Sequence, residues 1–171
     1  YYGYGIPKLS RLIKQSVNPS ISLSQTAWNG YVGEMFSLKA SVTPNGQNVI
    51  WSSSDTSVAT VSNGSVTAQG AGTATIIASF VYEGQTYSAS CSVSVKPVTI
   101  ELSETNKTVY QTDTFILSAK TEPQNLIVSW SSSDNSIVSV TDGNVTAISP
   151  GNATVTATIS YAGRLYSTSC T

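Results

Sequence analysis

One register dominates the chain when it is slid along itself. At an offset of 79 residues, Ser20 to Ser92 align without a gap on Thr99 to Thr171, and 31 of the 73 aligned positions are identical. Shared composition does not hold a register for that long, so the two stretches are copies of one structural unit. A unit of about 75 residues can close a small core of its own, which points to two folded domains and not to one divided sheet. The register draws the boundaries at 1–19 for an N-terminal segment, 20–96 for repeat 1 and 97–171 for repeat 2.

Within a repeat the apolar period is two. Phe36, Leu38, Ala40 and Val42 alternate with Ser37, Lys39 and Ser41, and Tyr87, Ala89, Cys91, Val93 and Val95 alternate with serines. Such alternation puts one face of a strand in a core and the other in water. Turn chemistry separates the strands, at Pro44-Asn45-Gly46, Asn63-Gly64 and Glu83-Gly84. About seven short strands per repeat suit two small antiparallel β-sandwiches of immunoglobulin type, with a closed barrel as the alternative architecture. Ser, Thr, Val, Ala, Asn and Gly dominate at the expense of Leu, Glu and Lys, in keeping with an all-β chain. Trp51 and Trp130 fall at the same mid-domain strand position and are expected to fill the space between the sheets. Cys91 and Cys170 point inward by the same parity; one per domain, they are not expected to pair.

The successions Trp-Ser-Ser-Ser-Asp, Gly-Ser-Val-Thr-Ala and Gly-Thr-Ala-Thr-Ile, each carried twice with small changes, resemble the bacterial immunoglobulin-like group 2 domain over residues 20–95 and 99–171. The resemblance implies a sandwich fold and an extracellular setting in surface or secreted bacterial proteins, and it implies no single ligand. Repeat 2 departs at Ser149-Pro150-Gly151, and it has no counterparts of Val93 to Val95, so its closing strand is expected to be short.

Residues 1–15 lie outside the repeat and hold Lys8, Arg11 and Lys14, while no acid appears before Glu34. Pro7 suits a first helical turn, and Ile6, Leu9, Leu12 and Ile13 could line one face of a short helix. The stretch Gly3-Tyr4-Gly5-Ile6-Pro7 resembles the end of subtilisin-like protease domains, which implies an upstream domain of that kind. The chain opens at Tyr1 and is expected to be a piece of a larger protein.

The residues needed for most chemistry are missing. With no histidine in the chain, Ser-His-Asp and Cys-His arrangements and imidazole metal sites are excluded. No Gly-rich phosphate loop precedes a helix. Asp55, Asp113, Asp134 and Asp142 stand singly in turns and are not read as catalytic pairs; Asp55 and Asp134 follow three serines, where a short acid can accept from neighbouring backbone N–H groups, and no cluster of acids surrounds either to make a calcium site. Lys39 and Lys120 fall between inward residues and are expected on the outer surface, away from any isopeptide partner. Charged residues make up 10% of the chain, 8 basic against 9 acidic, too few to hold nucleic acid or an anionic membrane. No enzyme activity and no cofactor are expected.

Trp28 and Tyr31 remain as candidate surface contacts. Trp28 aligns with Lys107, which argues that the common core does not require it, and an aromatic pair free of the core could dock an upstream domain or stack on a glycan. The link between repeats, Lys96-Pro97-Val98, has no glycine and should be stiff. Taken together, these features describe a non-catalytic extracellular spacer or adhesion module. The alternative is a carbohydrate- or host-protein-binding accessory module of a secreted hydrolase. The expected partners are the upstream domain and a cell-wall or host glycan or protein.

Overall fold

The computed structural model describes residues 17–171, all in strands and turns. The expected helix over Ile6 to Ile13 and the protease-like Gly3–Pro7 stretch lie outside the described residues. Repeat 1 contains nine strands: β1 Ser20–Leu23, β2 Ala27–Tyr31, β3 Met35–Ser37, β4 Ala40–Thr43, β5 Ile50–Ser53, β6 Ala59–Ser62, β7 Ser65–Ala68, β8 Gly72–Tyr82 and β9 Gln85–Lys96. Repeat 2 contains eight: β10 Thr99–Leu102, β11 Thr114–Ile116, β12 Ala119–Glu122, β13 Ser129–Ser132, β14 Val138–Thr141, β15 Asn144–Ala147, β16 Val155–Tyr161 and β17 Arg164–Cys170.

In repeat 1 the main sheet runs β2-β9-β8-β5, faced by β3-β7-β6, with β1 paired to β4. All of these pairs are antiparallel except β2 with β9, which are parallel from Ala27 opposite Ser92 to Tyr31 opposite Lys96. Repeat 2 repeats the pattern as β13-β16-β17, β11-β15-β14 and β10-β12. The alternating run Phe36 to Val42 is not one strand but two. It breaks at Leu38 and Lys39, where the Leu38 N–H donates to the Gly64 carbonyl at 2.7 Å and the Ser24 N–H to the Lys39 carbonyl at 2.9 Å. The chain thereby leaves the partner strand on one side and takes up β1 on the other, while the inward parity continues through the crossing.

The cores follow the period-two pattern. Ile76, Phe80, Cys91 and Val93 are fully buried on β8 and β9, and each large aliphatic or aromatic chain removed from water contributes about 1.5–3 kcal/mol. Trp51 packs against the cluster of Leu38, Val66, Ile76 and Cys91 in repeat 1. Trp130 packs against both clusters of repeat 2, one around Val98 and Ile159 and the other around Leu117 and Cys170. Gly64 is required beside Trp51. Its φ is +82°, and a Cβ there would lie 2.3 Å from the Leu38 carbonyl oxygen and 3.2 Å from the indole. Gly143 stands in the same relation to Leu117 and Trp130.

Candidate functional site

The feature that the fold builds most specifically is the joint between the repeats. It starts from a local arrangement in the sequence Trp28 to Glu34. Gly30 has no side chain, and a Cβ there would fall 2.2 Å from both the Trp28 ring and the Glu34 carboxylate. Trp28 therefore folds over the backbone and stacks on Phe36, with ring centroids 4.4 Å apart and planes 13° from parallel. The Glu34 carboxylate turns back to accept the Tyr31 N–H at 3.0 Å, and the Glu34 N–H donates to the Tyr31 carbonyl at 3.1 Å. This closed turn aims the Tyr31 ring away from repeat 1.

Tyr31 lands on repeat 2. Its ring packs against the cluster of Val98, Ile100 and Ile159, and meets Tyr161 edge-on with centroids 5.9 Å apart. Two hydroxyl–carboxylate hydrogen bonds cross the joint in opposite senses: Tyr31 donates to Glu122, and Tyr161 donates to Glu34. Lys96, at the end of β9, holds its ammonium 5.9 Å from the Tyr31 ring centre. The Val32 N–H donates to the Lys96 carbonyl at 3.1 Å, which ties the Tyr31 turn to the start of the link. Gly33 lets the second repeat come close, because a Cβ on it would stand 2.8 Å from the Ala162 Cβ in the β16–β17 hairpin.

The electrostatics follow from these contacts. The hydrogen bond to Glu34 is the main reason the Tyr161 phenol is pushed up to about 12, with burial and the neighbouring Glu34 charge acting the same way. Tyr31 is raised too, first by its bond to Glu122 and then by burial. Both hydroxyls are therefore held protonated, as donors.

The sequence expectation for Trp28 needs correction. Trp28 is not free of the core but part of its edge, and Lys107 answers it in repeat 2 by lying over Phe115, the counterpart of Phe36, with the ammonium 4.8 Å from the ring centre. A stacked indole and a cation over a ring fill the same place, so unlike residues at one register position do not mark a free side chain. Tyr31 makes its contact with the second repeat; whether residues 1–16 touch either aromatic lies outside the described residues. Glu34, Glu122 and Tyr161 were missed. The signal available was that Tyr31 recurs as Tyr110, and that an acid follows three residues later in both repeats, as Glu34 and Asp113.

Residues 18–90 and 94–165 each match the family of bacterial Ig-like domains, group 2. The chain belongs to this family. An uncharacterized protein of Clostridium acetobutylicum is 37% identical over 163 residues, covering 88% of the chain, and the chain spans only 16% of that protein's length. Among solved structures, human protocadherin-24 EC1-2 aligns at 13% identity and a TM-score of 0.41, covering 91% of this chain and 94% of the other. The titin domains z1z2 in complex with telethonin align at 12% identity and a TM-score of 0.39, over 91% and 95% of the two chains. Neither likeness bears on function.

The other singled-out residues of this tandem Ig-like pair serve the fold. Asp55 accepts from the Ser57 N–H at 2.9 Å and the Ser57 hydroxyl at 2.6 Å, and Asp134 accepts from Ser136 in the same way. The serine hydroxyl contact is the first cause that holds both carboxyls below the usual aspartate range. Cys91 and Cys170 are buried free thiols, pushed up chiefly by burial. Lys39 and Lys120 are exposed. Among the described residues, no group of three or more His, Cys, Asp or Glu side chains is placed to hold a metal ion.

Proposed function

We propose that this Ig-like pair is an extracellular spacer of a larger bacterial surface or secreted protein, and that its specific task is to hold two domains in one fixed orientation. Domains of the family are typically extracellular or surface-exposed, in adhesion or spacer modules. No helix among the described residues is long and apolar enough to cross a membrane. The observation that carries the reading is the reciprocal Tyr31–Glu122 and Tyr161–Glu34 pairing, which engages both repeats at two points and leaves the glycine-free link little freedom to swivel. The small share of the Clostridium protein that the chain matches supports a piece of a much longer architecture. In this reading the upstream partner is the protease-like domain whose end the Gly3–Pro7 stretch resembles, and the pair sets its distance and direction.

The alternative of a glycan-binding module rested on Trp28 and Tyr31 as a free aromatic pair. With Trp28 stacked on Phe36 and Tyr31 seated on repeat 2, no observation favours it. Residual dipolar couplings measured on the two repeats test the spacer reading. One alignment tensor should fit both, and a Tyr31→Ala, Tyr161→Ala variant should require two. Separate tensors in the unaltered chain would overturn the reading.

A further inference from the structure

Repeat 2 carries the outgoing half of the joint a second time, at its far end. Tyr110 and Asp113 sit 79 residues beyond Tyr31 and Glu34, and the turn is closed the same way. The Asp113 carboxylate accepts the Tyr110 N–H at 2.9 Å, and the Asp113 N–H donates to the Tyr110 carbonyl at 3.1 Å. The turn is anchored to the end of the equivalent strand in both repeats, β15 and β7, with Thr112 N–H to the Ala147 carbonyl at 2.9 Å against Gly33 N–H to the Ala68 carbonyl at 2.9 Å. Tyr31 is spent on the second repeat, whereas Tyr110 is 86% exposed.

A second observation concerns the strand that leads to the joint. In repeat 1, residues 92–96 run parallel to β2, bury Val93 and Val95, and deliver the chain to Tyr31. In repeat 2 the same ladder begins, with the Thr171 N–H donating to the Thr105 carbonyl at 3.1 Å and the Lys107 N–H to the Thr171 carbonyl at 2.9 Å. Beyond that rung, Val109 borders an apolar cleft lined also by Phe115, Val145, Val155 and Cys170. The cleft corresponds to the place that Val93 and Val95 fill in repeat 1.

We infer that the far end of repeat 2 is a docking surface for a further immunoglobulin-like repeat, which enters by a strand with valine-type side chains at alternate positions and meets Tyr110 and Asp113. The chemistry of the incoming end follows from the existing joint: a carboxylate in the place of Glu122 to accept from Tyr110, and a tyrosine hairpin in the place of Tyr161 to donate to Asp113. One residue adds a condition. Thr112 stands where Gly33 does, so the incoming hairpin needs glycine in the place of Ala162, the residue that the Gly33 Cβ would meet. Repeat 1's own end is a poor substitute, since Thr43 replaces Glu122, and Glu83, in the place of Ala162, would crowd Thr112 beside the Asp113 carboxylate.

The test extends the chain after Thr171, first with copies of Val93 to Lys96 alone, then with those four residues followed by a copy of 97–171 carrying Ala162→Gly. Hydrogen exchange should slow at least tenfold at the amides of Val109 and Gln111 in both extended chains, since the Val32 N–H, counterpart of Gln111, donates to the Lys96 carbonyl. Hydroxyl-radical footprinting should find Tyr110 as reactive as before in the short extension and at least tenfold protected in the long one. A third repeat that fails to fold, or one that folds and leaves Tyr110 within twofold of its original reactivity, overturns the inference. Protection of Tyr110 in the unextended chain that grows with protein concentration assigns the surface to a second copy and overturns it too. The inference rests on the joint reading above, and Tyr31 separates the two. If Tyr31 stays protected while Tyr110 does not, only the inference falls; if Tyr31 is reactive in the unextended chain, the joint reading falls with it.

Discussion

Gly33→Ala is the substitution that tests the joint most directly. The added Cβ would lie 2.8 Å from the Ala162 Cβ, where two carbons rest at about 3.5–4.0 Å. The hairpin must retreat by about 1 Å, and overfilling a closed contact of this kind costs about 1–3 kcal/mol. The docked-to-undocked ratio should then fall by about 5-fold to about 150-fold. The φ of +94° adds backbone strain inside repeat 1, of about 1–3 kcal/mol, whether or not the second repeat is docked. The two effects separate because only the first involves Ala162. Ala162→Gly removes the opposing methyl and suits the φ of +47° at that position, so the double variant should dock again while keeping the lowered melting point of repeat 1. Nitrogen-15 relaxation and residual dipolar couplings read the docking, and denaturant melts read the strain. A single tensor for both repeats in Gly33→Ala, or a double variant that remains undocked, would refute the steric account.

Alkali should also open the joint. Tyr161 titrates near 10 when undocked and about 12 when docked, so docking is undisturbed below pH 10 and weakens as pH rises from 10 to 12; Tyr161→Phe should remove most of that dependence in the same couplings. Gly64→Ala should destabilise repeat 1 by more than about 3 kcal/mol in urea melts, since it combines the 2.3 Å approach to the Leu38 carbonyl with a φ of +82°. Acid should weaken both repeats through Asp55 and Asp134, whose folded carboxyls are held below the ordinary aspartate value near 3.8. Their contribution is complete above that value and fades as pH falls through the lowered one, and Asp55→Ala, Asp134→Ala should flatten the acid limb of the melting curve. A thiol reagent should leave Cys91 and Cys170 unlabelled until the chain unfolds, because both are buried.

How legible each part was depends on how far apart in the chain its determinants lie. The run from Tyr87 to Val95 could be read directly, because period-two burial is a local property, and Cys91 is fully buried as that parity requires. The register of 79 made the second repeat legible from the first. The parallel pairing of β2 was not legible, since Ala27-Trp28-Asn29-Gly30-Tyr31 shows no alternation and its partner lies some 65 residues further along, at 92–96. The joint was harder still. Tyr31 finds Glu122 across 91 residues and Glu34 finds Tyr161 across 127, and nothing local in either tyrosine names its acceptor. Trp28 misled for a different reason: comparing the repeats treats unlike residues as unconstrained, while Trp28 and Lys107 cover equivalent phenyl rings, Phe36 and Phe115, by different physics.

The parallel lie of β2 beside β9 also decides how the module carries a load. Tension on the second repeat enters repeat 1 through Pro97 and pulls along the axis of β9, which is paired with β8 from Gln85 to Val95 and with β2 from Ser92 to Lys96. A pull in that direction must slide many rungs at once and cannot peel them one by one. The attachment point is therefore an interior strand of the sheet, and tension along the chain stresses it in shear.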